Sequence, residues 1–312
     1  MTGGSRQGSR AGGITTTARL RAAGLSPAQI RHLVRRGSLL PVRRGVYAHA
    51  DTVASAAGDR GGEELLCVAA ALAMTSSLAV GSHHSAAAVH GLPHLGRRSA
   101  GIVTVTRSPD DLGSRSGRKG LLVHTAELPA GHITIQQGVR VTSAARTVID
   151  LVRTSSFAEG VVVTDSALHA GKTSKAELAG VIAHCRRWPG VTRARRVVAF
   201  SDPRSESVLE SIARVAFQEH GLPAPDLQVW VGDDDLVIGR ADFLWRRYRT
   251  IGEADGAIKY ADPWRASAQL ERDARLRDAG YEVVHFSWAQ IVRTPAQVVA
   301  SVRAAFQRGG AA

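Results

Sequence analysis

The chain has 312 residues, 44% of them apolar and 21% charged, and carries a net charge of +13. That length allows two or three domains with sizeable cores, and the composition is that of a globular protein rather than a disordered or fibrous one. No apolar run is long enough to cross a bilayer, and two cysteines, Cys67 and Cys185, make neither a disulfide framework nor a cysteine-rich metal site, so the reading is a reducing cytoplasm without membrane attachment.

Residues 1–13, rich in Gly, Ser and Arg, read as a disordered tail, and they lack the apolar stretch of a secretory signal. A short helix is predicted over 15–23, ending at Gly24. Ser26 followed by Pro27 predicts the start of a second helix, which runs to about Arg36 and stops at Gly37. Ile30, Leu33 and Val34 share one face of it; Arg31, Arg35 and Arg36 fall largely on others. "LLPVRRGVYA" then alternates like a hairpin with Arg43 and Arg44 at its turn.

Two helices and a basic hairpin predict a winged helix-turn-helix over 14–50, with the second helix in the major groove and the hairpin on phosphate. Charge supports that reading. Residues 1–50 hold nine arginines and no Asp or Glu. Codon preference explains Arg in place of Lys, but not missing acids. A small structural cap with a solvated basic face is the competing reading.

The pieces "LRAAGLSPAQIRHLVRRGSL" and "PVRRGVYA" resemble the N-terminal winged-helix domain of AbiEi-family antitoxins of type IV toxin–antitoxin systems. The resemblance covers about 35 residues. It implies binding to the protein's own promoter and a toxin as a further partner.

Residues 60–200 read as a mixed α/β middle region that also resembles AbiEi-like proteins. "EELLCVAAALAM" predicts a buried helix and "SHHSAAAVHGLP" a second one. "GIVTVTR" and "LLVHTAEL" predict strands, and "VRVTSAARTVIDLVRT" a strand followed by a helix capped by Thr142 or Ser143. His83, His84, His90 and His94 have loose spacing and no nearby Asp, Glu or Cys, which argues for structural histidines over a zinc site.

The last hundred residues predict helix, strand, strand, strand, helix, strand, helix. In "GEADGAIKY", Glu253, Asp255 and Lys259 crowd a strand that should be buried. Buried carboxylates need a counter-charge. If Asp242 on the preceding strand aligns with Glu253, and Glu210 of the helix joins them, the three could share Mg²⁺ or Mn²⁺, which would activate water against a phosphodiester. Lys259 would stabilise the phosphate charge.

The pieces "SVLES", "RADF", "GEADG" and "ERDARLRDAGYEVVHF", spread over 205–308, resemble the PD-(D/E)XK nuclease superfamily in its DUF559 branch, related to very-short-patch-repair endonucleases. The resemblance implies an α/β/α endonuclease fold with Glu210, Asp242 and Glu253 as metal ligands. The chain departs from the superfamily pattern at Asp255, where a lysine is usual. Asp255 is either a further ligand or part of an Asp-Gly turn, and Lys259 and Arg272 are candidates for the displaced positive charge.

The expected architecture is therefore α+β and multidomain: winged helix, mixed middle region and nuclease-like fold. The leading expected function is a DNA-binding protein with a metal-dependent endonuclease domain. The alternatives are a non-enzymatic, antitoxin-like autorepressor with a degenerate nuclease fold, and an interaction protein whose basic patches bind RNA or another protein.

Overall fold

The computed structural model describes residues 13–75, 78–93, 95, 101–111, 120–232, 237–255 and 263–310. The tail expected over 1–13 lies outside them except for Gly13, as do His94 and Lys259. The chain divides into two compact units, residues 1–163 with 172–198, and residues 164–171 with 199–312.

The first unit begins with β1 (Ile14–Thr16), α1 (Thr17–Ala22), α2 (Pro27–Arg35), β2 (Leu39–Arg43) and β3 (Val46–His49). Helix α2 starts where the sequence places it: the Ser26 hydroxyl accepts from the Gln29 N–H, and the Gln29 side chain accepts from the Ser26 N–H. The three strands pair antiparallel in the order β1-β3-β2. Gly45, at φ +74°, closes the two-residue turn between β2 and β3, and its carbonyl accepts from the Thr17 N–H at 2.9 Å. That bond fixes the basic turn to the start of α1.

Helices α3 (Ala50–Ala56), α4 (Arg60–Leu72) and α5 (His83–Val89) follow, with β4 (Val80–Gly81) before α5. Then come β5 (Val103–Arg107), β6 (Leu121–Thr125), β7 (Ile133–Gln136), β8 (Val139–Thr142) and α6 (Ala144–Val152), which is capped by Ser143 rather than Thr142. The five strands form a mixed sheet in the order β6-β5-β4-β8-β7. A Cβ at Gly81 would overlap Val68 of α4, so glycine lets sheet and helix approach closely.

One apolar cluster joins Ile14, Val46 and Ala48 of the N-terminal strands to Leu65 and Val68 of α4 and to Val103 and Val141 of the sheet. The sequence separates a domain at 14–50 from one at 60–200; in the structure they share this core. Residues 14–50 supply too little apolar surface to bury their own sheet face, so the face packs on α4. Helices α7 (Phe157–His169), α8 (Lys175–His184) and α9 (Val191–Phe200) complete this stretch of chain.

The second unit contains α10 (Val208–Glu219), β9 (Asp226–Gly232), β10 (Val237–Trp245), β11 (Thr250–Asp255), α11 (Pro263–Asp278), β12 (Glu282–Ser287), α12 (Trp288–Arg293) and α13 (Pro295–Arg308). The predicted order holds, with the short α12 added. The sheet order is β12-β11-β10-β9; the first three strands in sequence form an antiparallel meander, and β12 lies parallel to β11. Phe217, Phe243, Trp245, Phe286 and Phe306 build the core on one side, and Leu244, Ile251 and Leu276 build it on the other. Within this unit Asp165 and Arg214 form a buried ion pair at 2.7 Å, and Asp165 also accepts from the Ser211 hydroxyl and the Asp202 N–H.

Candidate nucleic-acid interface and carboxylate cluster

On α2, Ile30 is buried and Leu33 and Val34 half-buried, while Ala28, Arg31, His32 and Arg35 point the other way into solvent. Arg36 follows at the C-cap and is also exposed, as is Arg44 at the hairpin turn. None of these four arginines has an acidic partner among the described residues. Exposed guanidiniums without acidic partners leave their positive charge available to an anion, which is the electrostatic requirement for a phosphate-contacting surface. Arg43 behaves differently. It is half-buried and donates to the Gly120 carbonyl at 3.0 Å, tying the hairpin to the residue that precedes β6. Of the five arginines expected on phosphate, Arg43 alone is half-buried with one guanidinium nitrogen bonded to a backbone carbonyl, whereas Arg44 sits exposed in the turn.

In the second unit, Glu210 lies in the first turn of α10, where the Ser207 hydroxyl caps its N–H. Its Oε2 accepts from the Glu206 N–H and from the Gln228 side-chain amide, both at 2.9 Å. The same amide nitrogen lies 3.3 Å from Asp242 Oδ1, and Asp242 Oδ2 accepts from the Ala254 N–H at 2.9 Å. Glu210 and Asp242 thus meet at Gln228. Burial, with Asp242 adding to it, raises the Glu210 pKa despite opposing hydrogen bonds. Gln228 stands at φ +53°, an uncommon conformation for a non-glycine residue. The paired carboxylates dictate the amide's orientation, since its oxygen in that place would face two anions.

Glu253 is held elsewhere. It is almost fully buried, and Arg272 of α11 donates to its Oε1 at 2.9 Å. A side chain at Gly239 would overlap the Arg272 guanidinium, so glycine there gives Arg272 its path. Asp255 faces His285, 3.2 Å from its Nδ1, while the His285 Nε2 lies 2.7 Å from Asp273. The hydrogen bond to Asp255, then that to Asp273, raises the His285 pKa against the pull of burial.

Each predicted acid therefore has an internal partner: Gln228 for Glu210 and Asp242, Arg272 for Glu253, His285 for Asp255. No group of three or more His, Cys, Asp or Glu side chains among the described residues is arranged to hold a metal ion. A guanidinium supplies the counter-charge at Glu253, whereas Glu210 and Asp242 share only the neutral Gln228 amide. Arg272 takes the compensating role that the sequence left open, and Lys259 lies outside the described residues. Gln228 and His285 were missed because neither stands next to an acid in sequence. Of the other histidines singled out in this region, His90 contacts the Thr142 carbonyl at 2.8 Å, and His84 is exposed.

Two family models match the chain. One, described as the transcriptional regulator AbiEi antitoxin, matches residues 9–49; the other, the AbiEi antitoxin C-terminal domain, matches residues 79–200. The chain carries both AbiEi antitoxin domains, and both matches end before the second unit's α10. The uncharacterised proteins MT2308 and Rv2248 of Mycobacterium tuberculosis are each 27% identical over 183 residues, which is 59% of this chain and 67% of theirs. A crystal structure of the RV2827C protein from Mycobacterium tuberculosis aligns over 60% of this chain and 71% of its own, at 17% identity and a TM-score of 0.38. No helix among the described residues is long and apolar enough to cross a membrane.

Proposed function

We propose that the protein is a DNA-binding transcriptional regulator of the AbiEi antitoxin type. The observation that carries this reading is the exposed, unpaired arginine face of α2 and the Arg44 turn, lying within the segment matched by the regulator model. Arg31 and Arg35 share a helix face with the small Ala28, so the helix can approach a groove closely, and Arg36 and Arg44 extend the positive surface beside it. Such a surface supplies a salt-dependent grip on any duplex; sequence choice would come from the same helix. A cognate toxin is the partner that an antitoxin of this type implies. The test is anisotropy binding to duplex DNA from upstream of the protein's own gene, against unrelated duplex of equal length. Absence of binding to either at low salt would overturn the reading.

A second reading, metal-dependent cleavage by the second unit, is favoured by one observation: Glu210 and Asp242 meet at one amide in a helix–meander–helix–strand arrangement. Against it stands the Arg272 guanidinium on Glu253. Nicking of supercoiled plasmid across a Mg²⁺ and Mn²⁺ titration separates the two. The regulator reading expects no cleavage; cleavage lost in Glu253→Gln would establish the nuclease.

A further inference from the structure

The first unit carries an open pocket of about 490 Å³ lined by His83, His124, Glu127, Arg146, Asp150, Arg153 and Trp188, among others. None of these belongs to the arginine face or the carboxylate cluster. The volume falls in the range of small-molecule sites.

Its buried charges do not balance, although a second carboxylate of the lining, Glu127, stands largely exposed to solvent. Arg146 is fully buried and donates through Nε to Asp150 Oδ2 at 2.8 Å and through Nη1 to the Glu127 carbonyl at 3.0 Å. Arg153 donates to the Pro189 carbonyl at 2.6 Å, and its Nη2 lies 3.6 Å from Asp150 Oδ1. Both guanidiniums lie over the Trp188 ring, 4.7 and 4.9 Å from its centroid. Two fixed cations thus share one buried carboxylate. Arg153 Nε and Asp150 Oδ1 are buried with no hydrogen-bond partner among the described residues. Groups left in that state cost stability unless something else satisfies them.

The imidazoles add donors to the same cavity. His83 and His124 stack with ring centres 3.8 Å apart and planes inclined by 16°. His83 stands at φ +49°, a conformation that costs backbone energy in a non-glycine residue and is concentrated at functional sites. The Thr106 hydroxyl donates to Ser82 Oγ, which lies 3.0 Å from His83 Nδ1. Ser82 can then give its own proton to Nδ1, which leaves the imidazole proton on Nε2. Burial, followed by the charges of neighbouring histidine and arginine groups, holds His83 well below the ordinary histidine range.

We infer that this cavity binds a small phosphate monoester, with Arg153, His83 and His124 as its donors. A phosphate dianion offers three oxygens and two charges to two guanidiniums that share one buried carboxylate and to several N–H groups, whereas a monocarboxylate offers two oxygens and one charge. The inference is independent of DNA binding.

The test is isothermal titration of the full chain with glycerol 3-phosphate, inorganic phosphate and acetate at matched ionic strength. Saturable binding of glycerol 3-phosphate is expected, weakened about tenfold or more in Arg153→Gln and by about threefold or more in His124→Gln. Inorganic phosphate should bind at the same site; an equal affinity for both would identify free phosphate, not a monoester, as the ligand and overturn that part of the inference. Acetate binding as tightly as either, no saturable binding of either phosphate, or unchanged affinity in both variants would overturn the site itself. Should Arg153→Gln fail to fold by circular dichroism, His124→Gln decides, since His124 is half-exposed on β6 and makes no fixed salt bridge.

Discussion

Neutralising Arg35 and Arg44 together separates a phosphate-contacting face from a merely solvated one. Arg31, Arg35, Arg36 and Arg44 are exposed and without acidic partners among the described residues, so each can neutralise one phosphate and release its counterion. At about 0.9 per phosphate, four contacts give a slope of log affinity against log salt of about −3.6 per protomer, and two give about −1.8. Raising salt from about 50 to about 200 mM should therefore weaken the wild type roughly 150-fold and the Arg35→Gln/Arg44→Gln variant only about 12-fold. Arg43→Gln supplies the contrast. Its guanidinium is committed to the Gly120 carbonyl, so this variant should keep the wild-type slope while losing roughly 1 kcal/mol of stability. Fluorescence anisotropy with a labelled duplex, titrated at five salt concentrations, gives the slopes, and thermal unfolding gives the stabilities. A double variant that retains the wild-type slope, or an Arg43 variant that lowers it as Arg44→Gln does, would refute the assignment of the face.

Three further outcomes follow from packing and charge. Arg214→Met leaves the Asp165 carboxylate buried without its cation and should lower stability by about 3–5 kcal/mol, with Asp165→Asn recovering part of the loss in the double variant, as read from urea unfolding. Because the folded-state pKa of His285 is raised, its stabilising contribution is complete below the unfolded value and fades as pH rises through the folded one. The second unit should therefore lose stability from near neutrality upward, and His285→Gln, facing Asp255, Asp273 and Gln269, should flatten that part of the melting-temperature profile. Gly81→Ala should cost about 1–3 kcal/mol, measured by chemical denaturation, because the added methyl overlaps Val68.

Local signals carried most of the element order. Ser26 and Pro27 marked the start of α2, and the hydroxyl cap and Gln29 reciprocation are present at that place. The predicted helix–strand–helix ending is present as α11, β12 and α13. The partners of the buried acids were only partly legible: Arg272 was a candidate cation, but not its pairing with Glu253. Arg272 reaches Glu253 from 19 residues away, and Gln228 reaches Glu210 through a left-handed backbone that no side-chain pattern announces. Three carboxylates spaced over a helix and two strands are equally compatible with a shared cation and with separate internal partners; only register and helix placement decide. The Arg146–Asp150 pair is the counter-example, since its spacing of four residues on one helix could have been read directly.

The shared core beneath the N-terminal sheet bears on how the arginine face comes to exist at all. Ile14, Val46 and Ala48 belong to the same buried cluster as Val103 and Val141. During synthesis the first fifty residues leave the ribosome roughly ninety residues before the last of these partners, at translation rates that make the delay several seconds. The face can take its final shape only after that interval. Residues 13–50 expressed alone should therefore be largely unfolded, while 13–200 should fold, a difference that proton chemical-shift dispersion would register. A DNA-reading surface built in this way is not a portable module: grafted onto another protein without α4 and the five-stranded sheet, it would lose its grip on duplex along with its shape.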